Sequence, residues 1–578
     1  MADTQVDKAL KTPGYNSPRE SGDFYLLECS IHSPSGGAIP VQLNVPGVLA
    51  QLNVFEDLFS NVLKGQLTFV DTQGLAEAIP LIGDETLIIS FLTPGGEGTQ
   101  ITAESTESDS QTASEEAITQ RFKIYDCKET QIQNRVRNYQ LFFVSEEFVT
   151  SSKIKVSKGY SGQKYSFIVK DVMQKINKNI KSDYRKNIYI EETSTPQNII
   201  VPNWSPFHAI NFCASRSLSD DATPQDQTNA AANPTPRALG SLFVFYEKLG
   251  TGFFYESIET MIGKQKSQDN IPLYQYTPKI AGNRQGSLGI NYFGVDDFEV
   301  TSSFKTLENL QQGLFGSTLI TYDPLRMKFD KVKYDYHKST VKEKEEVDER
   351  TGVTVVTTDA DSQADDTNRR FHDFISTDIN AEDSKQNKLI SSNSDLIGSN
   401  DTVIKLATTT RDHEVFNAPG GEGAPPNFAP NTTSIGVSLT TFKDQAARSN
   451  RVEDWLLQRQ AQINEFESIV VTFSVPGNSS RHVGDLVRFE IPTTIPDDDP
   501  NLIGIPLGHQ LYSGFYIVSK IRHKISAGEY QTDIELIKNS FAKRLPGQKK
   551  DLSIDGTSMR KKSTVKVRNV TATVGVRG

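Results

Sequence analysis

The strongest constraint on this chain is a stretch that occurs twice. FESIVVTFSVPGNSSRHVGDLVRFEIP (466–492) followed by FYIVSKIRHKISAGEYQTDIELIKN (515–539) shows apolar alternation, a Gly-Asp corner, more alternation, then two long runs joined by a polar turn. KGQLTFVDTQGLAEAIPLIGDETLIISF (64–91) followed by RFKIYDCKETQIQNRVRNYQLFFVS (121–145) repeats that order. Gly83-Asp84 stands where Gly484-Asp485 stands, Phe122 answers Phe515, and Tyr139 answers Tyr530. Alternation of period two around Gly-containing turns is the signature of antiparallel hairpins. The expected fold class is therefore α+β and β-rich: two similar small antiparallel β-barrels with long hairpins, plus helical and mixed α+β outer domains. Leu67, Phe69, Ile88, Phe91, Val471, Phe473, Val487 and Phe489 are expected in the barrel cores.

The 578 residues are too many for a single core and call for roughly three to five compact units. Residues 1–23 read as a flexible arm, 24–148 as the first barrel, and the Ser/Thr/acidic run 99–120 as a mobile insertion within it. If 121–130 and 138–148 are extended, each reaches about 33 Å. Hairpins that long need neighbours to pair with, because an open edge invites aggregation. The block 149–240 reads as a helical outer domain. Ile168, Val172, Ile176 and Ile180 recur four apart on one face, and Ser205-Pro206 marks a second helix start, with Ser205 as N-cap. Residues 241–440 form a mixed α+β domain, opening on a hairpin that turns at Gly250-Thr251-Gly252. Residues 441–546 form the second barrel, preceded by a helix over 443–466 with Val452, Trp455, Leu456, Ile463 and Phe466 on one stripe.

The last segment, 547–578, differs from the rest. It carries eight basic residues, among them Lys549, Lys550, Arg560, Lys561 and Lys562, against Asp551 and Asp555, in a chain of net charge −11. Such asymmetry marks an expected partner-binding tail. The overall acidity argues against a nucleic-acid coat that works by phosphate neutralisation. No N-terminal apolar region predicts a secretory signal, and no apolar run is long enough for a bilayer. Cys29, Cys127 and Cys213 lack metal-ligand spacing and read as buried free thiols.

No motif points to catalysis or to a cofactor. The runs Gly95-Gly96-Glu97-Gly98 and Gly420-Gly421-Glu422-Gly423 lack the Lys-Ser/Thr of a phosphate loop. The eight histidines are isolated in sequence, and His413-Glu414 lacks a second His for a helical zinc pair. Asp497-Asp498-Asp499 has neither the Gly turn nor the closing Glu of a calcium loop. Nucleophile elbows are absent. The sequence therefore predicts no enzyme, no cofactor and no metal.

Five motifs in a fixed order resemble the baseplate hub proteins of contractile-tailed, T-even-like phages, which are related to the spike heads of type VI secretion systems. They are Glu56-Asp57-Leu58-Phe59-Ser60 running to Gly65-Gln66-Leu67-Thr68-Phe69; Ile124-Tyr125-Asp126-Cys127-Lys128; Pro202-Asn203-Trp204-Ser205; Phe243-Val244-Phe245-Tyr246; and the helix, strand and Gly-Asp corner of 443–492. The resemblance covers most of 24–262 and 441–545 but not 99–120, 341–440 or the basic tail.

The resemblance implies a homotrimeric, pseudo-sixfold ring that adapts a sixfold tail tube to a threefold central spike and gives passage to viral DNA. Implied partners are further copies of the chain, the spike, tube or tube-initiator proteins, the tape measure and neighbouring baseplate wedge proteins, without membrane insertion. The implied location is the virion tail baseplate, after assembly in the host cytoplasm. Expected channel-wall and inter-subunit strand residues are Phe122, Ile124, Tyr125, Tyr139, Leu141, Phe143, Phe515, Ile517, Tyr530, Ile534 and Leu536. Two other readings compete: a cell-wall hydrolase fused to a hub, and a carbohydrate-binding tail module. The second has only two tryptophans to work with.

Overall fold

In the computed structural model the described residues are 24–34, 41–45, 47–72, 74, 81–93, 118–131, 136–193, 196–219, 242–266, 271–276, 293–302, 305–323, 328–335, 341–347, 354–358, 403–408, 452, 456–466, 468–492, 509, 512–526 and 529–538. The first half supplies β1 (Tyr25–His32), β2 (Val41–Gln42), β3 (Leu49–Asp57), β4 (Lys64–Asp71), β5 (Thr86–Leu92), β6 (Ile118–Gln131) and β7 (Arg137–Ser145). An outer block follows, with α1 (Glu146–Lys153), β8 (Val156–Gln163), α2 (Tyr165–Asn177), β9 (Asn187–Ile190), β10 (Gln197–Trp204), α3 (Pro206–Ala214), β11 (Phe243–Lys248), β12 (Gly252–Ser257) and α4 (Ile258–Lys266). Next come β13 (Leu273–Tyr276), β14 (Gly294–Val295), β15 (Phe298–Ser302), α5 (Thr306–Gln312), β16 (Gly316–Asp323), β17 (Lys328–Asp335), β18 (Val341–Val347), β19 (Thr354–Thr358) and β20 (Ile404–Thr408). The second half is α6 (Leu456–Phe466), β21 (Ile469–Pro476), β22 (Leu486–Glu490), β23 (Gly514–Ser526) and β24 (Glu529–Lys538).

Two separate barrels were expected, but fourteen described strands form one branched sheet whose recorded pairings do not close. The joint is β23. Its first residues, 514–517, pair with β22, and 520–526 pair on the same edge with β3 of the first half, Lys520 opposite Asp57 and Ser526 opposite Gln51. Thirteen residues give the strand enough length for two partners. A bulge at Ser519 separates the two pairing segments.

The pairings repeat from one half to the other. β5–β6–β7–β4–β3 is matched by β22–β23–β24–β21–β15, and β6 carries its bulge at Tyr125 where β23 carries Ser519. This fixes a register different from the one read in the sequence. Thr86 opposite Lys123 corresponds to Leu486 opposite Ile517, so Phe122 matches Tyr516 rather than Phe515. Phe143 opposite Ile124 corresponds to Leu536 opposite Val518, so Tyr139 matches Thr532 rather than Tyr530. The corner carboxylate matching Asp485 is Glu85, not Asp84. Glu85 accepts the N–H groups of Ile82 and Gly83 as Asp485 accepts that of His482.

Of the eight expected core residues, seven are buried and Ile88 is half-buried, its neighbours Leu87 and Ile89 facing inward instead. β7 gives way to α1 at Glu146, three residues before the expected end of the hairpin. Ile168, Val172 and Ile176 are buried on α2, with Ile180 buried just beyond it. Pro206 opens α3 as the sequence requires, but the Ser205 side chain makes no capping bond. The expected boundary at 240 does not divide cores. Phe243, Phe245, Phe253 and Tyr255 pack with α2 and α3, and β9 pairs with β12. The block 149–240 is not purely helical either, since β8 and β10 pair within it.

Farther along, β13 and β15 join the large sheet through β22 and β21. The strands β16–β20 form a five-stranded sheet with Leu457 and Ala461 of α6 in its core. On α6, Phe466 is buried and Ile463 is exposed, contrary to the expected stripe. Trp455 lies outside the described residues, as do 99–117, most of 341–440 and the tail. Cys29 and Cys213 are buried as expected, whereas Cys127 is exposed, contrary to the sequence reading.

Candidate functional site

The feature that ties the chain together is the seam where β3 meets β23. Near one end of it, opposite Ile521, Glu56 is fully buried. It accepts the Leu249 N–H at 3.2 Å and the Val483 N–H at 3.2 Å, and lies 3.2 Å from His482 Nδ1 and 3.3 Å from His523 Nε2. The other ring nitrogen of His523 is 2.7 Å from the Tyr530 hydroxyl. One carboxylate therefore joins the first half, the β11–β12 turn and two elements of the second half.

Burial alone would raise the Glu56 carboxyl pKa, but His482 and His523 outweigh it and hold the group well below the usual carboxylate range. Burial alone would lower His482, but Glu56 and then Asp485 outweigh it and raise it. A buried carboxylate is tolerated because two backbone N–H groups donate to it and two imidazole rings lie within hydrogen-bonding distance.

A second buried charge cluster fixes the outer block. Glu247 accepts the Leu63 N–H at 3.1 Å, the Gln120 amide at 2.9 Å, the Ser145 hydroxyl at 2.6 Å and the Lys186 ammonium at 2.6 Å. Lys186 also reaches Glu147 at 2.7 Å. Burial would lower Lys186, but Glu247 and Glu147 raise it, so the ammonium stays charged between two carboxylates. In the cleft beside Gly484 the charges pair among themselves: Lys248 with Asp485 at 3.7 Å and Lys264 with Glu256 at 3.0 Å. Among the described residues no cluster has the make-up of a metal site.

The sheet face opposite the core is largely polar in both halves, with Phe55 and Phe142 as aromatic exceptions. Gln140 donates to Gln66 at 3.3 Å, Arg522 donates to Asn53 at 3.0 Å across the seam, Ser474 donates to Asp533 at 2.6 Å, and Lys520 pairs with Glu535 at 3.0 Å. Such a face lies against water rather than against a second apolar layer.

Of the residues expected to line strands between subunits, Phe122, Ile124, Tyr139, Leu141, Phe143, Ile517, Tyr530, Ile534 and Leu536 are buried on the core face. Phe515 is half-buried, and only Tyr125, at the bulge, is exposed. Tyr530 lies in the core of the first half, with ring centroids 5.8 Å from Phe91 and 6.1 Å from Phe24. Residues 126–131 of β6 pair only with β7, and β15 pairs only with β21, among the described strands. Lys549, Lys550, Arg560, Lys561 and Lys562 lie outside the described residues.

No family model and no curated protein matches this chain. Among solved structures, the chain is similar to a tail protein from Neisseria meningitidis, at 8% identity over 89% of this chain and 97% of that one, with a TM-score of 0.42. It is also similar to a prophage tail protein from Shewanella oneidensis, at 8% identity over 89% and 98%, with a TM-score of 0.38. A component of the Escherichia coli type VI secretion system matches at 8% identity over 86% and 75%, with a TM-score of 0.30.

Proposed function

We propose that this chain is a structural subunit of the baseplate hub of a contractile tail, each copy supplying two positions of a ring. The observation that carries this reading is the repeated pairing scheme, down to the bulges at Tyr125 and Ser519, with the halves joined edge to edge by β3 and β23. A chain that links two copies of one sheet unit by an edge leaves an edge at each end, and further copies can continue the sheet until it closes. Three copies then give six quasi-equivalent positions. Such a ring suits a junction between a sixfold tube and a threefold spike. Its polar sheet face lines the passage through which viral DNA moves.

On this reading the chain performs no catalysis and resides in the tail baseplate of the virion. Its partners are two further copies, the central spike, tube or tube-initiator proteins, the tape measure and the baseplate wedges, the basic tail reaching the spike or a neighbouring baseplate protein. The internally paired charges in the cleft beside Gly484 support a wall rather than a reaction site. An antibody raised against the chain should decorate contractile-tail particles at the spike end of the tube, while a peptidoglycan zymogram stays blank. A cleared zymogram band would replace the reading with the hydrolase, and label along the fibres with the sugar-binding module.

A further inference from the structure

The in-chain seam is a template for a second one. β3 stands to β4 as β15 stands to β21: Leu52, Asn53 and Val54 lie opposite Leu67, Gln66 and Gly65, and Phe298, Glu299 and Val300 lie opposite Phe473, Thr472 and Val471. The free edge of β3 is filled by β23, with Ile525 opposite Leu52, Lys524 opposite Asn53 and His523 opposite Val54. The common bulge puts Gln131, Thr130 and Glu129 of β6 at the positions of Ile525, Lys524 and His523. Residues 126–131 have no partner on that edge among the described strands, and neither has β15 on its outer edge.

We infer that residues 126–131 of β6 add antiparallel to β15 of a second copy of this chain, with Thr130 opposite Glu299, Glu129 opposite Val300 and Gln131 opposite Phe298. The inference rests on the hub reading and adds to it the edges and their register. Strand addition at an open edge draws its affinity from main-chain hydrogen bonds, and among the described strands neither edge is paired.

The two seams differ in strength. The in-chain seam has buried Glu56 between His482 and His523, with Tyr530 in the core of the first half. At the positions of His523 and Tyr530, β6 and β7 carry Glu129 and Arg137, a half-exposed ion pair at 3.4 Å. Exposed pairs contribute little and are screened by salt. The seam between copies is therefore the one that opens, while the two halves of each copy stay joined.

The test is a cysteine cross-link in full-length protein with Cys127→Ser, so that the exposed native thiol does not interfere. Glu299→Cys with Thr130→Cys places two cysteines directly opposite, about 5 Å apart, within reach of a disulfide. Glu299→Cys with Lys128→Cys is offset by two residues, beyond about 7 Å. Mild oxidation should give covalent dimers and trimers from the first pair and monomers from the second. Only monomers from the first pair, in a preparation whose light-scattering mass is trimeric, would overturn the register and leave the hub reading standing. Equal cross-linking of both pairs would also overturn it. A mass that stays monomeric in the presence of the tube and spike proteins would remove the hub reading and this inference with it.

Discussion

Replacing Glu56 by glutamine tests the seam with almost no change of shape. Oε1 lies near the Leu249 N–H and both histidines, while Oε2 takes the Val483 N–H. An amide can keep one oxygen, so its NH2 must face at least one buried donor. An orphaned buried N–H costs roughly 1–3 kcal/mol. Removing one partner of a buried charge pair costs about 3–5 kcal/mol. The second cost already contains the first, so the loss is about 4 kcal/mol, about a thousandfold in the opening equilibrium of the seam.

The loss should be read locally, from amide hydrogen exchange of β3 and β23, because a chain with several cores need not unfold in one step. Exchange there should rise by about three orders of magnitude, while α2 and β8 are unaffected. The pH profile carries the same signature. Glu56 is depressed, so its contribution is present above its unfolded value of 4.5 and lost as pH falls below it. His482 is raised, so its contribution is complete below 6.5 and lost as pH climbs through its folded value. Protection of the native seam should therefore be greatest between 4.5 and 6.5 and flatten in Glu56→Gln. A change in exchange under tenfold, or an unchanged pH profile, would refute the argument.

Lys186→Met leaves Glu147 and Glu247 buried without their cation and should cost about 3–5 kcal/mol, seen as a lower melting temperature of the outer block. A melting temperature within a degree of the parent would contradict the buried-pair account. Gly65→Ala would put a Cβ 2.5 Å from the Asn53 carbonyl oxygen and into the Phe143 ring. It should destabilise by about 1–3 kcal/mol, whereas Gly159→Ala, with nothing within 4 Å, should not. Thiol labelling of the folded protein should reach Cys127 alone. Burial and the Asp126, Glu129 and Glu85 carboxylates raise its pKa, so the rate should climb on the alkaline side. Cys29 and Cys213, each pushed by burial to about 12, should react only after denaturation, and native labelling of either would contradict their placement.

The duplicated sheet unit was legible because alternation survives in β4, β7, β21 and β24, each with one face in a core. Its register was not. In Phe515-Tyr516-Ile517-Val518 three successive residues are buried, so alternation gives no phase, and the bulges at Tyr125 and Ser519 shift parity where the repeats were aligned. A one-residue slip exchanges the faces of a strand, which is why the sequence alone aligns half-buried Phe515 with Phe122. The hairpin β11–β12 misled for a related reason. Val244 and Tyr246 face the second-half core while Phe243 and Phe245 face the helices, so one strand closes two units. The seam itself had no local signal, since Glu56 and His482 are separated by 426 positions, and each reads alone as an isolated polar residue.

The claim that one chain supplies two ring positions is tested most directly by the mass and shape of the purified protein, from light scattering followed by negative-stain imaging. The account predicts three times 64.1 kDa and ring-shaped views with a central hole. A compact monomer of 64.1 kDa that stays monomeric in the presence of its tube and spike proteins would contradict it.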